Sequence, residues 1–188
     1  MLPISVDLSD VRVLLIGAGA AACRRLSLLD GAGAGRLQVF APHPSEALLA
    51  AAGGRLQPRL PTGEEIAQAQ LLFVVGLDDA AAREIRIAAS AAGVLANFED
   101  EPARCDFHSA SVLRRGDLTI AVSTNGRGPG LAGAIRRDLE QRYGPEWQHH
   151  LEEFAVLRAE WRQAGADHRT IAEHTAQWLA ATLADTDR

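Results

Sequence analysis

The chain contains no lysine: all 19 of its basic residues are arginine. That excludes a Schiff-base lysine, a P-loop lysine and the Tyr–Lys pair of many short-chain dehydrogenases. A GC-rich genome, which favours Arg and Ala codons, accounts for the absence. Cysteine is nearly missing too. Cys23 and Cys105 lie far apart and neither belongs to a CxxC pair, so no zinc site or disulfide framework is indicated. No apolar run reaches the roughly 18 residues that suggest a membrane span. Met1 to Asp10 lacks the basic-then-apolar pattern of a signal peptide, so the expected location is the cytoplasm. A net charge of −5 argues against general nucleic-acid binding. What remains, 188 residues with 47% hydrophobic and 23% charged, is enough for one full domain and a smaller appendage.

Short apolar runs alternate with helical stretches through the first hundred residues. Val11–Ile16, Leu37–Phe40, Arg55–Leu60, Leu71–Val75 and Val94–Asn97 read as strands. Ala20–Leu29, Ala47–Ala52, Glu64–Ala69 and Ala80–Ala92 read as helices between them. This alternation predicts a parallel sheet covered by helices on both faces. After Asp100 the pattern changes. Ser111–Arg115 and Leu118–Val122 flank Gly116-Asp117, a two-residue hairpin signal. A helix from Leu131 to Tyr143 follows, and then a helical tail holding all three tryptophans. Trp147, Phe154 and Trp161 lie along one face of it, and Thr170-Ile171-Ala172-Glu173 fits a capping box. The expected segments are residues 1–110, 111–145 and 146–188.

Gly17-Ala18-Gly19-Ala20-Ala21-Ala22 matches G-x-G-x-x-A directly after the first strand. Gly17 permits the tight turn, Gly19 lets backbone approach a pyrophosphate, and Ala22 keeps the helix close to its strand. The helix N-terminus then offers amide donors to phosphate. In an Ala/Gly-rich chain the pattern alone is weak; its strand–turn–helix setting makes nucleotide binding the favoured reading. The second strand ends in Ala41-Pro42-His43, with no acid to hold a ribose hydroxyl, so these residues leave NAD against NADP open.

Four stretches together resemble the precorrin-2 dehydrogenase and sirohydrochlorin ferrochelatase family. They are Leu2-Pro3-Ile4 with Asp7-Leu8; Gly17-Ala18-Gly19 with Ala22 and Arg24-Arg25; Asn97-Phe98-Glu99-Asp100 with Cys105-Asp106-Phe107; and Arg114 to Thr124. The resemblance implies a Rossmann-like doubly wound parallel sheet, a small hairpin-plus-helix dimerisation segment and a helical C-terminal region, assembled as a homodimer. It implies NAD-dependent oxidation of precorrin-2 to sirohydrochlorin and, in some members, insertion of ferrous iron. The family's chemistry is assigned to the aspartate matching Asp100. Ala20, Ala21, Pro42 and His43 fall at its NAD-contacting positions, with Gly76, Asp78 and Asn97 carried as further cofactor-side candidates. Thr124 falls where some members carry a phosphorylated serine. The chain departs from the family at Gly76-Leu77, at His108 and Ala110, and at Asn125 to Gly128.

A polycarboxylate substrate calls for a basic pocket. Residues 104–142 hold seven arginines against four acids, inside an acidic chain. Arg114, Arg115 and Arg127, with Arg136 and Arg137 behind them, are candidate carboxylate partners, because guanidinium binds carboxylate in a bidentate way. Asp100 is the candidate proton acceptor, past the end of a strand where ligands bind in open α/β sheets. His108 is the candidate ligand for ferrous iron, although a lone histidine is more often structural. Two other readings stay open: a nucleotide-binding sensor without catalysis, and a tetrapyrrole-binding chelatase variant with altered substrate.

Overall fold

Strand β1 (Arg12–Gly17) is buried from its second residue to its last, as a central parallel strand must be. In the computed structural model, which describes residues 2–186, β1 pairs in parallel with β2 (Arg36–Phe40) on one side and β4 (Leu71–Val75) on the other. Strand β3 (Leu56–Gln57) extends the sheet beyond β2, and β5 (Leu95–Phe98) beyond β4. The order β3-β2-β1-β4-β5 is doubly wound, and its direction reverses between β1 and β4. The expected strand over residues 55–60 shrinks to the two residues of β3. Pro58 and Pro61 explain this, since each removes a ladder donor.

Two apolar layers hold the sheet. On one face Val13, Leu15, Val39 and Phe73 pack with Ala22, Leu26 and Leu29 of α1 (Gly19–Asp30) and Leu48 of α2 (Glu46–Ala52). On the other, Leu14, Ile16, Phe40, Leu72 and Val74 meet Ile66 of α3 (Gly63–Gln68) and Ala82, Ile85 and Ala89 of α4 (Asp79–Ala92). The alternation along β1 sends Val13 and Leu15 to one layer and Leu14 and Ile16 to the other, as a period of two requires.

The chain divides between Ser109 and Ala110 into two compact units. The second begins with the expected hairpin, β6 (Ser111–Arg115) and β7 (Leu118–Val122), turning at Gly116 with φ 56. Helix α5 (Pro129–Arg142) packs on it, and α6 (Trp147–Gln163) and α7 (His168–Thr186) complete the unit. The tryptophan stripe is partly covered within this unit. Trp147 is buried, and Trp178 of α7 lies 4.8 Å from the Phe154 ring. The expected capping box at Thr170 does not form. Helix α7 starts earlier, and Asp167 Oδ1 accepts from the Thr170 amide at 2.8 Å, which makes Asp167 the cap. No helix among the described residues is long and apolar enough to cross a membrane.

Candidate active site

At the sheet's switch point two turns touch. Gly17 lies opposite Val75 in the β1–β4 register, and the Ala18 amide donates to the Val75 carbonyl at 3.3 Å. A Cβ on Gly17 would stand 2.0 Å from that carbonyl oxygen, so only glycine fits. Gly76, directly after β4, has φ 62, and a Cβ there would come within 3.1 Å of the Ala18 oxygen. Gly19 is a different case. Its φ is 66, but its missing Cβ would meet nothing within 4 Å, so the backbone stands open to solvent there. Helices α2, α3 and α4 are capped by Ser45, Thr62 and Asp78; α1, capped by Ala18, has no side-chain acceptor on its first amides. An exposed backbone approach before uncapped amides fits the pyrophosphate of a dinucleotide.

The other cofactor-side candidates lie on the elements next to this turn or in β5. Ala20 and Ala21 open α1, while Ala22 is fully buried under it. Pro42 and His43 follow β2, with His43 exposed. Asp78 Oδ1 accepts from the Ala81 amide at 2.8 Å and so is engaged in starting α4. Asn97 is buried in β5, and its Nδ2 donates to the Phe107 carbonyl at 2.9 Å, tying the 105–109 segment back against the sheet.

Asp100 sits in the turn after β5, at the same end of the sheet as the glycine turn. Its φ of 61 places it in the left-handed region, which aspartate tolerates better than most residues and which recurs at functional sites. Its side chain is exposed and makes no hydrogen bond or ion pair among the described residues. The turn around it is held firmly. The Phe98 amide donates to Cys105 Sγ at 3.2 Å, and that sulfur lies 3.2 Å from the Phe98 carbonyl and 3.4 Å from that of Glu101. Asp106 covers the free edge of β5: its amide donates to the Ala96 carbonyl at 2.8 Å, and its Oδ2 accepts from the Ala96 amide at 3.0 Å. Arg86 grips the same carboxylate with two nitrogens and holds it below the usual carboxylate range. Neither use of Cys105 or Asp106 was visible in residue spacing, because a lone cysteine and a loop aspartate carry no partner information.

Arg25 is a further residue that spacing did not single out as functional. It reaches from α1 across the Phe73 ring, 5.2 Å from its centroid, to Ser109 Oγ at 2.7 Å, with Glu99 at 3.8 Å. Burial pushes its guanidinium below the ordinary value, and Glu99 opposes that shift. Glu99 thus turns toward Arg25. His108 is half-buried without a hydrogen-bond partner, and no three metal-ligating side chains cluster among the described residues.

In the second unit Arg114 and Arg127 are exposed, and their guanidinium groups have no partner among the described residues. Arg115 is committed: Nε donates to the Tyr143 carbonyl at 2.8 Å and Nη1 to that of Arg114 at 3.1 Å. Thr124 Oγ1 accepts from the Gly128 amide at 3.1 Å and closes the loop ahead of α5.

A doubly wound parallel sheet with a glycine turn at its switch point defines a Rossmann-type nucleotide-binding protein. Residues 4–111 match the family described as "Putative NAD(P)-binding", and residues 115–142 match the one described as "Sirohaem biosynthesis protein central". The siroheme synthase of Tolumonas auensis is 33% identical over 162 residues, which cover 86% of this chain and 34% of that protein. The siroheme biosynthesis protein met8 of Schizosaccharomyces pombe is 30% identical over 159 residues, 80% of this chain and 59% of that protein. The chain therefore spans about a third of the length of the bacterial siroheme synthase it matches. Among solved structures, "SirC, precorrin-2 dehydrogenase" shares the fold, with a TM-score of 0.72 at 23% identity over 92% of this chain and 86% of that one. The chain belongs to the family described as "Putative NAD(P)-binding", and the resemblance read from its sequence is borne out.

Proposed function

We propose that the chain oxidises precorrin-2 to sirohydrochlorin with NAD. One observation carries this reading. The open glycine turn and the left-handed, unpartnered Asp100 stand at the same end of one sheet, two strands apart. A sensor needs the first of these and has no use for the second.

The oxidation removes a hydride and a proton from the macrocycle. NAD, when bound, supplies the hydride acceptor. The first amides of α1 and the bare backbone at Gly19 would hold its pyrophosphate, with Pro42 and His43 after β2 as further contacts. Asp100 takes the proton. An acceptor contributes only within hydrogen-bond reach of the proton it removes, so the restrained turn at 98–101 is as necessary as the carboxylate. Arg114 and Arg127, whose guanidinium groups are free, receive substrate carboxylates, with Arg115, Thr124 and the following loop shaping that surface.

Ferrous iron is the second substrate in this proposal. The macrocycle nitrogens do most of the holding, Asp100 accepts the displaced pyrrole protons, and His108 is the candidate transient ligand. We place the reaction in the cytoplasm, in a homodimer built through the second unit, whose helix α5 leaves Leu131 60% and Ile135 40% exposed one turn apart. The test is to incubate the purified chain with precorrin-2 and NAD and follow NADH absorbance. Absorbance that stays flat while NAD binds by calorimetry would leave the sensor reading standing and remove this one.

A further inference from the structure

Among the described residues the Asp100 side chain makes no bond, so its position depends on the backbone that carries it, and that backbone is held from two directions. On the inner side is the Cys105 sulfur, half-buried against Phe98 and Glu101. On the side of the β4–α4 turn is Arg104. Its Nη2 is hydrogen-bonded to Asp79 Oδ1, and its Nη1 lies 2.9 Å from Glu101 Oε2, near enough for an ion pair though not aligned as a hydrogen bond. Its amide also donates to the Glu101 carbonyl at 3.0 Å.

The two ends of this bridge matter. Glu101 is the residue after Asp100. Asp79 is the first residue of α4, three positions beyond Gly76, whose backbone lies against Ala18 in the glycine turn. Asp79 is steadied by Arg83 as well, at 2.8 Å, and these two guanidiniums, Arg104 first, hold its carboxyl below the usual range. A continuous path of ionic contacts therefore runs from the β4–α4 turn to the turn that bears Asp100. All of it lies near the surface, where an ion pair contributes little to stability. What such a bridge can do is fix geometry.

We propose that Arg104 is a positioning residue that couples the nucleotide crevice to Asp100: occupation of the crevice settles the β4–α4 turn, and the Asp79–Arg104–Glu101 bridge then orders the turn carrying the proton acceptor. The proposal rests on the reading of that crevice as the NAD site. It also removes Arg104 from the arginines available to substrate carboxylates, because its guanidinium is already taken.

The experiment is amide hydrogen exchange of the full chain with and without NAD, in wild type, Arg104→Gln, Arg104→Lys and Asp79→Asn, beside NAD calorimetry on each. In the wild type NAD slows exchange over residues 99–105. In Arg104→Gln that slowing disappears while the thermal midpoint stays at the wild-type value and NAD still binds, weakened by no more than the factor of protection lost; Arg104→Lys restores part of the slowing, and Asp79→Asn loses it from the other end. With precorrin-2, kcat of Arg104→Gln falls by about ten- to a hundredfold, the scale of a misplaced catalytic group, while KM for NAD rises by no more than that same factor. Equal NAD-dependent protection in wild type and Arg104→Gln overturns the coupling and leaves the NAD site intact. A wild type that binds no NAD overturns the site reading, and the coupling with it.

Discussion

Two glycines two residues apart should fail in opposite ways when replaced by alanine. At Gly17 the new Cβ would sit 2.0 Å from the Val75 carbonyl oxygen, 2.6 Å from its Cγ2 and 2.9 Å from its carbonyl carbon. An ordinary contact needs more than 3 Å, so β1 and β4 would have to part by about an ångström at the centre of the sheet, where packing density leaves no slack. Overpacking of this kind costs about 1–3 kcal/mol and sometimes more, and a clash with backbone belongs at the upper end. A loss of ~3 kcal/mol lowers the unfolding midpoint of a domain this size by roughly 10 °C or more. At Gly19 the Cβ would meet nothing. The only intrinsic cost is the left-handed conformation, about 1–2 kcal/mol for a residue with a side chain. Its methyl would instead occupy the space a pyrophosphate enters. We expect Gly19→Ala to fold and to lose at least about tenfold in NAD affinity, 1.4 kcal/mol, and Gly17→Ala to be the less stable protein. Thermal unfolding and NAD calorimetry on both variants decide it. If Gly19→Ala binds NAD like wild type, or Gly17→Ala unfolds no earlier than Gly19→Ala, the assignment of separate structural and binding roles is wrong.

Asp100→Asn keeps a residue suited to φ 61 and should unfold like wild type, whereas Asp100→Ala should lose about 1 kcal/mol; both should lower NADH formation by about a hundredfold to ten-thousandfold with NAD affinity unchanged. His108→Ala should leave NADH formation near wild type and affect only iron insertion. Arg59 and the Thr62 amide hold the Glu65 carboxyl at about 2, below its ordinary 4.5, so the stability it contributes is complete above pH 4.5 and lost as pH falls toward 2; Arg59→Gln should flatten that acid limb in an unfolding titration. A dimer mass in light scattering should become a monomer mass in the double variant Leu131→Arg, Ile135→Arg.

Two T-x-x-E patterns show how far local sequence carries and where it stops. Thr62-Gly63-Glu64-Glu65 forms a full capping box, with the Glu65 carboxylate accepting from the Thr62 amide at 2.7 Å. Thr170-Ile171-Ala172-Glu173 forms none, because Asp167 lies three residues earlier and caps the helix first. The pattern is the same, and the upstream residue decides. The parallel sheet, the glycine turn and the hairpin were legible because each is a local signal of period or turn chemistry. The restraint of Asp100 was not, since it depends on Cys105, Arg104 and Asp79, residues brought together by strand order. Arg115 makes the same point: as a sequence residue it is a cation in a basic stretch, and in the fold its donors are spent on the backbone carbonyls of Tyr143 and Glu140 at the end of α5 and of its neighbour Arg114.

The departure from the family pattern at Gly76-Leu77 can be weighed by what each residue does in the fold. Gly76 adopts φ 62, where alanine would be strained, and lies so close to Ala18 that an added Cβ would come within 3.1 Å of its carbonyl oxygen. Leu77 packs against the apolar layer beneath α4, where a polar side chain would gain nothing. Both changes therefore tighten the turn on the glycine motif and fill the core beside it. Asp78 and Asp79 keep the two functions that need a carboxylate there, the cap of α4 and the bridge to Arg104. The substitutions alter how the cofactor turn is built more than the groups it presents. The departures at His108 and Ala110 lie outside that turn, and among the described residues His108 makes no hydrogen bond. If this chain's substrate differs from its relatives', the difference is to be sought at His108 and in the exposed Arg114 and Arg127, before the nucleotide crevice.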